Sequence, residues 1–387
     1  MDMNTTFSIL TPKKILAGNN AVENVGREAI ILGANKVLII TDIGIAKAGI
    51  VDNVKKLLEQ ENLKVGVFEE VEPEPHTKVV YNCVKKMEKE NYNLLVGLGG
   101  GSVIDVTKAV SVLITNKGSL DDYFGFDKVK KPGLKKIQIP TTSGTGSEAS
   151  YVSVLINEHE EKVVIYSPYL FSDVAIVDPL LTLSMPPKIT AHTGMDALTH
   201  AIESYTSVDA NIFTDSLSLK AISLIGKSLR KAVLQGDKNI ESRCDMSMAS
   251  LFAGISFVNA GCAAVHALAL ALGGKYHIPH GLSNALMLPY VMDFNLPGNF
   301  EKFANIAEAM GEKIGGLSIA ESARNSVNAV KMLSKDIGIP QRLRDVNVKK
   351  DEIDEVSKIA IKATRLLVHN PRKIGLDDII KIYQSAW

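Results

Sequence analysis

Cysteine is scarce in this sequence, and neither sign of charge is in excess. The three cysteines, Cys83, Cys244 and Cys262, lie far apart and form no CxxC pair, which argues against a disulfide framework or a cysteine-based zinc cluster. We therefore expect a cytoplasmic protein. Lysine plus arginine and aspartate plus glutamate both number 43, so no field of one sign is available to attract nucleic acid or an anionic membrane.

Long apolar runs are also absent. The start of the chain has no basic stretch followed by an apolar segment of signal-peptide length, and no later segment stays apolar for the ~20 residues that a membrane span needs. We expect neither a nucleic acid nor a membrane as partner. The chain has 387 residues, of which 46% are hydrophobic. A chain of this length exceeds what a single hydrophobic core usually organises, so we predict two domains.

Two different patterns divide the chain. Between about residues 34 and 180, apolar runs rich in Val, Ile and Leu alternate with amphipathic segments, and this alternation predicts an α/β domain. The run KVLIIT at 36–41 is continuously apolar, as expected of a strand buried on both faces. After Pro186, long helical patterns follow one another. We therefore predict an α/β domain over 1–182 and an all-helical domain over 183–387.

A glycine-rich turn follows the predicted strand at 93–98. Gly99, Gly100, Gly101 and Ser102 stand between that strand and a helical segment. Glycines allow the backbone to approach a ligand closely, and a helix N-terminus offers unpaired N–H groups to a pyrophosphate. The turn lacks the GxGxxG spacing, so a simple chain turn with Ser102 as helix cap is the alternative.

A second polar turn, PTTSGTGSE at 140–148, follows the strand-like KKIQI. Its small hydroxyl side chains, among them Thr141, Thr142 and Thr145, could donate hydrogen bonds to ribose and phosphate oxygens, although an exposed loop has the same composition. Two such turns in one α/β domain favour a ligand site, because ligands lie outside the carboxyl ends of parallel strands.

Asp42 directly follows the strand at 36–41. A carboxylate in this position could accept hydrogen bonds from the adenosine ribose and repel a 2′-phosphate, which favours NAD over NADP. The same residue could instead cap the helix that follows. Sequence alone supports the two interpretations equally.

Asp196 and His200 begin a candidate metal site. They are four residues apart in a helical segment, so they share one face and could grip one ion. His266 lies within the nearly all-apolar segment 261–274, where a lone histidine is more often a packed core residue than a ligand. The turn at 275–281 adds two more imidazoles, those of His277 and His280.

Taken together, one carboxylate and three imidazoles form a set suited to Fe(II) or Zn(II), with open positions for an alcohol oxygen. The four predicted metal ligands are Asp196, His200, His266 and His280.

On these motifs the chain resembles the iron-containing, or group III, alcohol dehydrogenases along almost its whole length. The matching segments include VEPEP, GLGGGSVIDVTKA, PTTSGTGSE, TGMDALTHAIESY, NAGCAAVHALA, IPHGLSNALMLP and a late NPR at 370–372. The resemblance implies a Rossmann-like dinucleotide-binding α/β domain followed by an all-α metal-binding domain. It also implies the same four metal ligands and a set of cofactor contacts: Asp42, Gly99, Gly100, Gly101, Ser102, Asp105, Thr141, Thr142, Thr145 and Lys162.

The resemblance further implies a metal-dependent alcohol dehydrogenase or aldehyde reductase that transfers hydride between a nicotinamide cofactor and a small primary alcohol or aldehyde. The implied metal is Fe(II), with Zn(II) as the alternative, and the implied cofactor is NAD, with NADP as the alternative. A homodimer or larger homo-oligomer is expected.

Three alternatives stay open at this point. The chain could be specific for a diol or hydroxyacid such as lactaldehyde, 1,3-propanediol or 4-hydroxybutyrate. It could belong with the zinc-dependent glycerol dehydrogenases and dehydroquinate synthases of the same fold superfamily. It could also be a non-catalytic cofactor-binding assembly protein, for which we would expect a damaged ligand set.

The chain departs from the family pattern at Leu270, where many members carry a second helix histidine. His277 is the nearest replacement and is the predicted catalytic residue, with an exposed turn histidine as the alternative. Cys262, four residues before His266, is interpreted as a small buried hydrophobe.

Overall fold

The computed structural model describes residues 6–387, which fall into two compact units. One unit is Leu10–Ser184, and the other holds Met185–Trp387 together with the described residues up to Ile9. The sequence predicts the boundary after residue 182, and the observed division lies just after Ser184. Residues 6–9, predicted as part of the first domain, group with the second unit.

The Leu10–Ser184 unit is built on a parallel sheet of six strands in the order β1-β9-β6-β4-β2-β3. A smaller sheet has the order β5-β8-β7. The strands are β1 (Ile15–Ala17), β2 (Lys36–Ile40), β3 (Lys64–Phe68), β4 (Leu94–Gly99), β5 (Gly125–Phe126), β6 (Lys136–Pro140), β7 (Val152–Ile156), β8 (Lys162–Tyr166) and β9 (Val174–Val177). The helices are α1 (Val25–Ile31), α2 (Ile43–Lys47), α3 (Ile50–Gln60), α4 (Thr77–Glu90) and α5 (Gly101–Leu113).

Strand β2 is buried on both faces of the sheet, which explains why its sequence is apolar without interruption. Leu38 and Ile40 belong to the core on one face of the sheet, and Val37 and Ile39 belong to the core on the other. All four side chains are fully buried. Parallel strands need crossover connections, and the helices that provide them cover both faces. The predicted α/β architecture is confirmed.

The Met185–Trp387 unit is helical and has one continuous hydrophobic core. Helix α9 is apolar on all sides and is buried along most of its length, as expected of a central helix. Ten α-helices occur among its described residues: α6 (Pro187–Thr206), α7 (Ile212–Gln235), α8 (Ile240–Ala260), α9 (Ala264–Tyr276), α10 (His280–Asn295), α11 (Phe300–Ala309), α12 (Ile319–Asp336), α13 (Ile353–Ala360), α14 (Thr364–Leu367) and α15 (Leu376–Ala386).

Within residues 6–387, no single helix is both long and apolar enough to cross a bilayer. Only the consecutive helices α8 and α9, bent by 102° at their junction, reach the required length and composition as a pair.

Candidate metal centre and nucleotide-binding turns

Three of the four predicted metal ligands come together at the meeting point of three helices. Asp196 lies on α6, His266 on α9, and His280 is the first residue of α10. Their donor atoms all lie within 4.8 Å of one another. The prediction that His280 lies in a turn is wrong, because helix α10 begins at His280, directly after Pro279. The site is therefore formed by three helices rather than two helices and a turn.

His200 lies one turn after Asp196 on the same helix. Its ring stacks on His266, with centroids 4.6 Å apart, and on Phe257 at 4.5 Å. Its donor atom lies within 4.8 Å of donor atoms of His266 and Cys262. The possible metal-binding side chains thus form two groups of three that share His266.

Asn284 contacts three of the predicted ligands at once. Its amide nitrogen donates to Oδ1 of Asp196 at 2.6 Å and lies 3.2 Å from Nε2 of both His266 and His280. The lone pairs of one carboxylate and two imidazoles therefore converge on one point. This convergence of oxygen and nitrogen donors fits a divalent cation such as Fe(II) or Zn(II). Sequence analysis missed Asn284, although it lies one helical turn after His280.

Glu203 contacts His266 on the side of the ring that faces away from Asn284. Its carboxylate accepts a hydrogen bond from Nδ1 of His266 at 2.5 Å and from the backbone N–H groups of Ala263 and Val265 at 2.9 and 2.5 Å. Both oxygens of this carboxylate already accept from backbone N–H groups, so Nδ1 is the donor in the bond to His266 and the lone pair of Nε2 faces the centre. Glu203 was also missed, although it follows His200 by three residues on α6 and is buried.

The electrostatics of the centre favour an ionised Asp196. Burial alone would raise the pKa of its carboxyl group, but the electrostatic influence of the nearby imidazoles of His200, His280 and His266 and the hydrogen bond from Asn284 outweigh it, and the pKa lies below its ordinary value. A carboxylate must be deprotonated to bind a metal ion. Asp196 therefore meets that requirement.

Gly281 allows α10 to approach α6. A methyl group at this position would lie 2.5 Å from the backbone oxygen of His192 and 3.5 Å from Cβ of Asp196. A side chain would force the two helices apart, and His280 directly precedes Gly281. The absence of a side chain is therefore part of what holds His280 beside Asp196.

His277 is placed differently from the predicted ligands. It ends α9 in a left-handed backbone conformation with φ of 54°, and its side chain is exposed. It belongs to neither group of potential metal-binding side chains within the part of the chain that the structure describes. The geometry corresponds to the alternative interpretation, an exposed turn histidine, and gives the predicted catalytic role no support.

The two predicted nucleotide turns lie against each other at one end of the parallel sheet. Strand β4 ends at Gly99, and α5 begins at Gly101 with Gly100 as its cap. A methyl group on Gly101 would lie 2.7 Å from Cγ2 of Thr145 in the second turn. Because α5 begins at Gly101, Ser102 lies inside the helix and is not its cap. Its hydroxyl accepts a hydrogen bond from the N–H of Glu74 at 3.3 Å.

Thr141 provides a polar atom suited to a ligand. Its N–H donates to the carbonyl of Gly99 at 3.0 Å, which ties the second turn to the end of β4. Its hydroxyl is buried and has no hydrogen-bond partner within residues 6–387. A buried hydroxyl without a partner is costly, so a ligand that pairs with it is favoured. Thr142 follows directly, with a methyl group near Gly100.

Three other predicted cofactor contacts have partners within the protein. Asp105 accepts hydrogen bonds from the hydroxyl of Ser147 at 2.5 Å and from the N–H of Val154 at 2.9 Å. Each of its carboxylate oxygens thus has a partner within the protein, and the bond from Ser147 ties it to the second turn. Lys162 forms an ion pair with Glu74 at 2.8 Å.

Asp42 is the third of these residues. One of its oxygens caps α2 by accepting from the N–H groups of Gly44 and Ile45 at 2.8 and 3.1 Å. The alternative interpretation as a helix cap therefore describes this oxygen. The residue still lies at the carboxyl end of β2, at the edge of the sheet where the glycine turn follows β4.

Comparison with known proteins places the chain in a family. Residues 12–179 match the family model described as iron-containing alcohol dehydrogenase, and residues 190–387 match the model described as Fe-containing alcohol dehydrogenase family, C-terminal. The chain is 42% identical over 382 residues to long-chain-alcohol dehydrogenase 1 of Geobacillus thermodenitrificans, a match that covers 98% of this chain and 96% of that protein.

Solved structures that are similar to this chain support the same family assignment. The chain superposes on a 1,3-propanediol oxidoreductase with a TM-score of 0.97 at 41% identity, covering 99% of this chain and 100% of the other. It also superposes on the sulfoacetaldehyde reductase of Bifidobacterium kashiwanohense in complex with NAD+, with a TM-score of 0.90 at 30% identity and 99% of each chain covered. The protein therefore belongs to the iron-containing alcohol dehydrogenase family, whose members are oxidoreductases of alcohols and aldehydes.

Proposed function

We propose that this protein interconverts small primary alcohols and aldehydes with one divalent metal ion and NAD. Asp196, His200, His266 and His280 would hold the ion. The turns after β4 and β6, with Gly99, Gly100, Gly101, Ser102, Thr141, Thr142 and Thr145, would hold the cofactor. The observation that carries the proposal is the convergence of Asp196, His266 and His280 on the amide nitrogen of Asn284.

A divalent ion in this centre supplies Lewis-acid polarisation of the substrate oxygen, and the nicotinamide supplies or accepts the hydride. The side chains set how strong that polarisation is. One carboxylate and three imidazoles, neutral when they coordinate, would leave a divalent ion with a net positive charge and so keep it able to polarise a substrate oxygen. Glu203 keeps His266 in the tautomer that presents Nε2, and Asn284 orients Asp196.

The choice of metal and the choice of cofactor each have their own support. Fe(II) is proposed because the matched family is described as iron-containing, and Zn(II) is the alternative because the donor set suits it equally. NAD is proposed over NADP because Asp42 places a negative charge at the end of β2, where a 2′-phosphate would be repelled. A similar structure contains NAD+.

The substrate is proposed only as a class. The similar proteins carry names that refer to long-chain alcohols, 1,3-propanediol and sulfoacetaldehyde, so one fold serves several substrates. A diol- or hydroxyacid-specific dehydrogenase is the second candidate, because of the similarity to the 1,3-propanediol enzyme. A non-catalytic assembly protein is disfavoured by the intact set of predicted ligands.

Compartment and assembly are proposals as well. The three cysteines form no disulfide in the described chain, and one of them lies near the proposed metal centre, which favours a reducing cytoplasm. Exposed apolar side chains at the junction of α6 and α7, namely Val208, Ile212 and Phe213, support a homo-oligomer, because such residues are commonly covered by another subunit.

The test combines metal content, cofactor binding and turnover. In His266→Ala and His280→Ala we expect loss of the bound ion and loss of aldehyde reduction, while NADH binding measured by fluorescence is retained. His277→Ala is the matched control, since this histidine is exposed on the neighbouring turn, and should keep metal and activity. A metal-free His280→Ala variant with unchanged turnover on a panel of short aldehydes would refute the proposal.

A further inference from the structure

Cys262 lies in the second group of possible metal-binding side chains. Its Sγ, a nitrogen of His200 and a nitrogen of His266 are all within 4.8 Å of one another. Sequence analysis interpreted this cysteine as simple packing, and the structure instead places it beside two imidazoles. It is the sole cysteine in either group of donors found among the described residues.

The backbone next to Cys262 is held firmly. Glu203 binds the N–H groups of Ala263 and Val265, which follow Cys262 in the chain, and the ring of His266. The hydroxyl of Ser207 donates to the carbonyl of Ala260 at 2.5 Å on the other side. The thiol therefore starts from a fixed backbone rather than from a mobile loop, which is a requirement for a metal ligand.

The two groups differ in chemical softness. Asp196, His266 and His280 offer one oxygen and two nitrogens, whereas His200, His266 and Cys262 offer two nitrogens and one sulfur. Thiolate sulfur favours Zn(II) over Fe(II), and carboxylate oxygen favours the harder ion. Because both groups use His266, a single ion bound to this imidazole would lie closer to one group or to the other.

We propose that Cys262, His200 and His266 form a second divalent-metal position, selective for Zn(II), next to the proposed catalytic centre. The proposal rests on the proposed function, because the position shares His200 and His266 with that centre and is an alternative place for its ion. When the ion binds, the thiol releases one proton to solvent and a sulfur–zinc bond forms, without any oxidant or reductant. A coordinating thiol is deprotonated by the metal itself.

Cobalt(II) provides the direct test, since it occupies zinc sites and a thiolate ligand gives it a charge-transfer band in the near ultraviolet. We expect the metal-free wild-type protein to show this band when Co(II) is added. Cys262→Ser should lose the band, and Cys244→Ser, which changes another half-buried cysteine, should keep it. Circular dichroism and NADH binding check that each variant is folded.

The outcomes separate this proposal from the proposed function. Wild-type protein that binds Co(II) without a thiolate band overturns the role of Cys262 and leaves the catalytic centre standing. Wild-type protein that binds neither Co(II) nor Zn(II) overturns both. When Zn(II) and Fe(II) compete for the protein, the ratio of bound Zn(II) to bound Fe(II) should fall about tenfold in Cys262→Ser relative to the wild type. An unchanged ratio contradicts the proposal.

A second measurement does not depend on a variant. Alkylation of Cys262 by iodoacetamide, followed by mass spectrometry of the wild-type peptide, should be slowed by Zn(II) and unaffected by Mg(II), which does not favour sulfur. Equal alkylation with and without Zn(II) would contradict coordination by this thiol.

Discussion

Glu203 and His266 are joined by a 2.5 Å hydrogen bond between the carboxylate and Nδ1 of the ring. The same carboxylate binds the N–H groups of Ala263 and Val265, at the beginning of α9. One buried side chain of α6 therefore fixes both the start of the neighbouring helix and the tautomer of a predicted ligand on it. Partners of this kind commonly control metal affinity.

Glu203→Gln tests this relationship. The amide that replaces one carboxylate oxygen can only donate, so it would face an N–H group and leave a buried donor without a partner. We expect divalent-metal affinity to fall about ten- to a hundredfold and the free energy of unfolding to fall by about 1–3 kcal/mol. Metal titration and denaturant unfolding measure the two effects.

Glu241→Gln is the control for that experiment. Glu241 lies on the surface, where its carboxylate pairs with Lys227 at 2.8 Å, and exposed ion pairs contribute little. Its substitution should leave metal affinity unchanged. Equal metal affinity in the wild type and Glu203→Gln would show that His266 is oriented by something else.

The four predicted metal ligands stand in short local sequence patterns. Asp196 and His200 are separated by one helical turn, and His266 and His280 stand in segments that resemble one family. Glu203 and Asn284 are also one turn from a ligand, but a Glu or Asn on a helix is usually solvated, and only the packing of α6, α9 and α10 shows that these two are buried. Their role is tertiary, so local spacing could not reveal it.

Gly281→Ala tests how closely α10 must approach α6. The added methyl group would lie 2.5 Å from the backbone oxygen of His192, and backbone cannot rotate out of the way. We expect a loss of about 1–3 kcal/mol in the free energy of unfolding and weaker binding of the ion, because His280 moves with the start of α10.

Gly274→Ala is the matched control on α9. A methyl group at Gly274 meets no atom within 4 Å, and alanine favours a helix over glycine. The variant should be as stable as the wild type or more stable by up to about 1 kcal/mol. Comparable metal binding by Gly281→Ala and Gly274→Ala would contradict the steric argument.

The observed helix-capping role of Asp42 and its proposed role in cofactor preference can be separated by a pair of variants. Asn also caps helices, so Asp42→Asn keeps an oxygen for Gly44 and Ile45 while it removes the negative charge. We expect unchanged stability and a preference that shifts from NAD toward NADP. Asp42→Ala should shift the preference in the same direction and also cost about 1 kcal/mol of stability. The ratio of kcat/KM for NADH and NADPH, with thermal unfolding, measures both.

An unchanged cofactor preference in both Asp42 variants would show that the carboxylate serves the helix alone. The two roles could not be separated from the sequence, because a residue at the end of a strand and the start of a helix satisfies both patterns at once. The partners of Asp105 and Lys162 were hidden for a different reason. The partners of Asp105 come from the second turn and from strand β7, and the partner of Lys162 is Glu74. All of them are distant in sequence from the residue that they contact.

Glu148, at the end of the second turn, gives a pH prediction. Its carboxyl group is buried, and this burial raises the pKa of Glu148 to about 7 from an ordinary 4.5, against the opposing influence of its own N–H and of Lys108. The folded protein thus retains a proton that the unfolded chain loses. The resulting stabilisation is complete below pH 4.5 and disappears as the pH rises through 7, a change of about 3 kcal/mol at most.

Glu148→Gln removes the titrating group and keeps its size. We expect its free energy of unfolding, relative to that of the wild type, to rise steadily between pH 5 and pH 7.5, because only the wild type must bury a charge or hold a proton there. Urea unfolding at several pH values measures the difference. The exposed Glu158→Gln variant should instead follow the wild type in parallel. A constant offset between Glu148→Gln and the wild type would mean that Glu148 is ionised in the folded protein throughout this range.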